Sequence, residues 1–108
     1  MAWTCLFLAG VCEIVWAAGL KRWGLTPTVG GLFTVATMLL SFLLLQQAMR
    51  QLPLGTSYAV WTGIGAVGAA VVGMVWFGES RDWPRVMCIG LIIAGIVGLK
   101  LLTPAEPR

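Results

Sequence analysis

Four stretches almost free of charge constrain this chain more than any other feature. Ala2 to Leu20 holds one ionisable side chain, Glu13, while Val29 to Met49 and Leu54 to Phe77 hold none. Val86 to Leu102 holds only Lys100, close to its end. The stretches are 19, 21, 24 and 17 residues long. A helix rises about 1.5 Å per residue and needs about 20 apolar residues to cross the hydrocarbon core. All four can therefore span a bilayer, the last only just.

Composition closes the other routes. Of 108 residues, 59% are hydrophobic and 10% charged, and there is no His. A soluble domain carries about 25% charged residues, so a water-soluble fold and a disordered tail are both excluded. The net charge of +3 is spread thinly, with no basic run to follow nucleic-acid phosphates. Pro27, Pro53 and Pro84 stand just before or at the start of spans, where a missing N–H costs nothing. Pro104 and Pro107 fall in a polar tail. The expected fold is all-α: one transmembrane domain over residues 1–108, with spans at about 2–20, 29–49, 54–77 and 86–102. Short connections at Lys21–Thr28, Arg50–Pro53 and Gly78–Arg85 predict antiparallel neighbours, packed as a compact bundle around their own side chains.

The first apolar run does not read as a secretory signal, because no basic segment precedes it and Glu13 interrupts it. Cys5, Cys12 and Cys88 all lie in spans and read as free, packing thiols. Without His they predict no zinc site.

Charge placement is nearly symmetric. With the N-terminus inside, Arg50, Lys100 and Arg108 fall on the cytoplasmic side and Lys21, Arg22, Arg81 and Arg85 on the other. Three against four gives almost no positive-inside bias, so the chain is expected to insert both ways up. Two oppositely inserted copies can pair about an axis in the membrane plane, the symmetry of transporters with inverted repeats. Gly90, Ala94 and Gly98 form a small-residue ridge on the fourth span, a candidate dimer contact, and Gly65, Ala69 and Gly73 form another on the third.

Glu13 carries the chemistry. It lies about 3 Å beyond the middle of its span, where a carboxylate costs several kcal/mol unless neutralised, paired or hydrated. The sequence places no Lys, Arg or His at that depth, which leaves a proton or an external cation as its partner. Gly10, Glu13, Trp16 and Ala17 share a helix face, and Gly10 is expected to leave space beside the carboxylate. Tyr58, Trp61, Thr62 and Gly65 form a second polar and aromatic face, and Ser41 lies mid-span with a hydroxyl to offer. Trp3, Trp23, Trp76 and Trp83 fall at span ends or in a loop, as membrane-interface residues do. Trp16 and Trp61 lie inside, where ring faces attract cations.

The pattern Gly10-x-x-Glu13-x-x-Trp16 and the run Leu52-Pro53-Leu54-Gly55-Thr56-Ser57-Tyr58-Ala59-Val60-Trp61-Thr62-Gly63-Ile64-Gly65 resemble the small multidrug resistance family. The likeness covers essentially the whole chain, to Gly98-Leu99-Lys100. Gly10, Trp16, Ser41 and Lys100 make it most similar to the guanidinium-exporter subtype, although Gly24-Leu25-Thr26 departs from the Gly-Phe-Thr expected there.

The resemblance implies an antiparallel, dual-topology homodimer in a bacterial inner membrane. Glu13 of each subunit would bind protons or the cationic substrate in turn, exchanging guanidinium for protons by alternating access. Trp16, Ser41 and Trp61 would hold the carboxylate oxygens, Tyr58 would help close one side, and Gly63 and Gly65 would form a hinge. Such a pair titrates as a unit, and planar guanidinium matches a carboxylate fork. No cofactor, catalytic residue, metal or nucleic-acid partner is implied, so the chain does not read as an enzyme. A broad exporter of quaternary ammonium and aromatic cations would use the same Glu13. A small dual-topology ion channel and a non-transporting accessory subunit are the readings from other classes.

Overall fold

The computed structural model describes residues 1–103; the tail with Pro104, Pro107 and Arg108 lies outside the described residues. The described residues form four helices: α1 Ala2–Trp23, α2 Val29–Met49, α3 Leu54–Trp76 and α4 Trp83–Leu102. All four are long and apolar enough to cross a membrane.

Their ends follow local chemistry. α1 runs three residues past Leu20, because Lys21 and Arg22 in its last turn face the negative end of the helix dipole. It stops at Gly24, whose φ of 70° favours glycine. The Thr28 hydroxyl caps α2 by accepting from the Gly31 N–H at 3.2 Å. Pro53 and Pro84 sit at the starts of α3 and α4. α4 begins at Trp83, ahead of the first uncharged run at Val86.

α1 lies between α2 and α3, and the α4 backbone lies close to α3 alone among the helices. The result is a shallow slab of 41 × 36 × 16 Å with a radius of gyration of 14.7 Å, where a compact domain of this length has about 13 Å. The expected closed bundle is therefore corrected to an open layer. Lipid tails are as apolar as the helices, so no hydrophobic force drives the row to close. α4 buries no residue. Its end is tied down by Lys100, whose ammonium lies 4.7 Å from the centre of the Trp3 ring.

Packing is uneven along the membrane normal. The side carrying the Arg50–Pro53 turn is filled by Ala2, Leu6 and Ala9 of α1, Leu45 and Ala48 of α2, Leu52, and Val60 and Trp61 of α3. The other side, bearing the Lys21–Thr28 and Gly78–Arg85 connections, is packed between α1 and α2 at Gly19 and Thr34 but open between α1 and α3. There a cavity of about 130 Å³ enters between α1 and α3.

Candidate functional site

α1 and α3 run parallel, and small residues set how closely they approach. A side chain at Gly10 would overlap Ile64, one at Gly68 would overlap Ile14, and one at Gly65 would overlap the Glu13 carboxylate. The space that Glu13 needs is thus supplied by Gly65, and Gly10 instead seats Ile64. Helix periodicity places Gly10 and Glu13 on one face but does not say which neighbour each meets across the gap.

The Glu13 carboxylate lies between the filled and open halves with Oε1 buried and unpaired. Trp16 Nε1, on the next turn, is likewise buried without a partner. Two unsatisfied polar groups in one seam are costly, since each forfeits about 1–3 kcal/mol of hydration. An acceptor and a donor are both left available there, within an apolar surround.

Ser41 and Trp61 behave differently. The Ser41 hydroxyl, fully buried, donates to the Ala9 carbonyl at 2.8 Å and accepts from Trp61 Nε1 at 3.0 Å. The expected bonds from Ser41 and Trp61 to the carboxylate are not made in this arrangement. A backbone carbonyl one turn before Glu13 takes the hydroxyl, and the indole donor is used on Ser41. This chain of bonds joins α1, α2 and α3 just below the carboxylate.

Aromatic rings close the same region. Trp16 meets Phe42 edge-on at 6.3 Å, Phe42 lies 5.8 Å from Trp61, and Trp61 lies 5.5 Å from Tyr58. Phe42 was not singled out in the sequence, because a phenylalanine in an apolar span looks like any lipid-facing residue. Ser57 was missed as well: it is fully buried with its hydroxyl unpaired. Its place four residues before Trp61 was the available signal. Tyr58 is half exposed on the outer edge of this ring series.

Gly63 and Gly65 lie within an unbroken α3. Gly63 is approached by Ile96 and Ile92 of α4, and Gly65 by Glu13. The third-span ridge expected to seat another helix backbone instead seats carboxylates, Glu13 over Gly65 and Glu79 over Gly73. On α4, Gly90 and Ala94 are exposed and Gly98 partly so, with open space beside both glycines. No cluster of His, Cys, Asp or Glu among the described residues could hold a metal.

The family model described as Small Multidrug Resistance protein matches residues 1–92. A guanidinium exporter of Citrobacter freundii is 53% identical over 104 residues, covering 95% of this chain and 99% of its own. One from Yersinia pseudotuberculosis is 51% identical over 102 residues, covering 94% and 98%. Another, from Salmonella typhimurium, is 50% identical over 102 residues, covering 94% and 97%.

Proposed function

The chain belongs to the small multidrug resistance family, and on that premise we propose that it exports guanidinium and small guanidinyl cations in exchange for protons. The observation that carries this reading is the buried, unpaired Oε1 of Glu13 in mid-span. A carboxylate in that position is stabilised by a proton or by a cation that brings its own N–H donors. The two cannot occupy it together, so each displaces the other. Relatives named guanidinium exporters at 50–53% identity support guanidinium as the cation.

The rest of the site serves that exchange. The bonds joining Trp61, Ser41 and Ala9 hold three helices in register beneath the carboxylate. Trp16 and Phe42 line the approach, and the unpaired Trp16 N–H is free to bond a carboxylate that swings away from Gly65. Two copies inserted in opposite senses bring two Glu13 carboxylates together, with the Gly90, Ala94 and Gly98 ridge of each α4 at the dimer contact. Bending at Gly63 and Gly65 would open the site to alternate sides. That segment touches both Glu13 and α4, so it can couple the occupied carboxylate to the dimer contact. The bacterial relatives support an inner-membrane location.

Purified protein in liposomes on a solid support tests the reading. Guanidinium is expected to evoke a current that Glu13→Gln removes, while a bulky quaternary ammonium ion evokes little. A strong response to the bulky ion would move the chain to the multidrug branch of the family. Fluoride current independent of a pH gradient would favour a channel, and silence to both cations would leave an accessory role.

A further inference from the structure

A second carboxylate lies against the same face of α3 as Glu13, toward the paired loops. Glu79 follows the end of α3, where the chain reverses over Gly78 (φ 69°). Its N–H donates to the Gly73 carbonyl at 3.0 Å. The side chain folds back over Gly73, where any Cβ would overlap it. Glu79 then lines the cavity between α1 and α3, together with Ala17, Lys21, Ala69, Gly73 and Phe77. Ala17 and Ala69 at its inner end are each four residues from Glu13 and Gly65. Gly65 and Gly73 share one face of α3, about 12 Å apart at 1.5 Å per residue. The two carboxylates therefore lie along one small-residue groove of α3, Glu79 at the mouth of the cavity and Glu13 one turn beyond the residues that line its inner end.

Glu79 already holds a guanidinium group. Arg85 Nη2 lies 2.6 Å from Glu79 Oε1, both side chains being more than one-third exposed. One nitrogen meets one oxygen, so the two-pronged pairing open to guanidinium and carboxylate is not formed. Lys21, the other cation at the mouth, lies 5.8 Å from the centre of the Phe77 ring and forms no ion pair with Glu79. Arg81 is occupied elsewhere, donating to the Met74 carbonyl at 3.2 Å.

We propose that Glu79 is an outer binding site for guanidinium-type cations at the mouth of the cavity between α1 and α3, with the side chain of Arg85 as its resting occupant. A free guanidinium can offer both prongs to the carboxylate and displace the single contact of Arg85. Displacement frees the arginine and leaves the incoming cation at the head of the groove. The site rests on the guanidinium-transport reading above and deepens it.

The test compares Glu79→Gln and Arg85→Gln with wild type in the same liposome currents, measured against guanidinium concentration at low salt. Glu79→Gln is expected to raise KM about three- to fivefold, the scale of one exposed ion pair, with the saturating rate kept. Arg85→Gln is expected to lower KM about twofold by removing the competitor, again within the range of such a pair. The opposite signs exclude a purely structural role, because both variants break the same ion pair. A purely structural pair would make the two variants change KM in the same direction, or leave it unchanged, and either result overturns the site. If wild type carries guanidinium through Glu13 but ignores Glu79, only the outer site fails. If wild type carries no guanidinium, the transport reading fails and the outer site with it.

Discussion

The two halves of the molecule, divided at Glu13, are built on opposite terms. Toward the Arg50–Pro53 turn, α1, α2 and α3 interlock through Leu6, Leu45 and Val60, and Ser41 and Trp61 have found partners. Toward the paired loops, α1 and α3 part around a cavity edged by Lys21 and Glu79, while α1 and α2 stay packed at Gly19 and Thr34. The difference teaches that the polar residues of the spans do not form one network. Ser41 and Trp61 on the filled side join the helices, whereas Ser57 and Trp3 there, like Glu13 and Trp16 at the boundary, keep buried polar atoms unpaired.

Removing the boundary acceptor should have the largest effect. Glu13→Gln is expected to cut guanidinium transport about a hundredfold or more, the worth of two charge-assisted hydrogen bonds at about 1.5 kcal/mol each. The check is the liposome current, and transport at the wild-type rate would remove the exchange mechanism. Next comes the floor beneath the carboxylate. Gly65→Val would drive a branched side chain into the Glu13 carboxylate, and an overpacked site of this kind costs about 1–3 kcal/mol. Guanidinium affinity should fall about tenfold or more in equilibrium binding, while a clash relieved by a small shift would leave it unchanged.

The filled half should answer more weakly, and in stability before transport. Ser41→Ala strands the Trp61 N–H and frees the Ala9 carbonyl, a loss of about 1–3 kcal/mol. It should lower the midpoint of unfolding in detergent and weaken guanidinium binding, and unchanged binding would show that Ser41 serves the helices alone. The finest distinction pairs two indoles. Trp61→Phe loses a made hydrogen bond of about 1 kcal/mol, whereas Trp16→Phe removes an N–H with no partner. Only the first should destabilise the empty protein, and equal losses would erase the contrast between the two halves.

Glu13 was legible in the sequence because it interrupts an otherwise uncharged span, and so were four helices of membrane length. What lay beside Glu13 was not. Gly10 and Gly65 look alike as small residues on a polar face, and only the parallel crossing of α1 and α3 decides that Gly65 seats the carboxylate. Ser41 and Trp61 were legible as polar side chains inside spans, but the Ala9 carbonyl that takes the hydroxyl has no side-chain signature. Phe42, still 44% exposed, was hidden for the same reason, since a span rich in apolar residues does not mark which ring meets Trp16 and Trp61. The open layer was also invisible, because lipid-facing and buried helices have the same composition in a membrane.

α4 has a consequence for the order in which the molecule is made. No described residue after Gly73 is buried. Every buried residue thus belongs to the part of the chain that is synthesised first, and α4 adds Ile92 and Ile96 over Gly63 and packs Leu99 against the core. The first three helices can settle against one another as they emerge, and the fourth arrives as an addition to a finished face of α3. An error in the last helix would then uncover Gly63 and one edge of the core, and alter what the molecule can join.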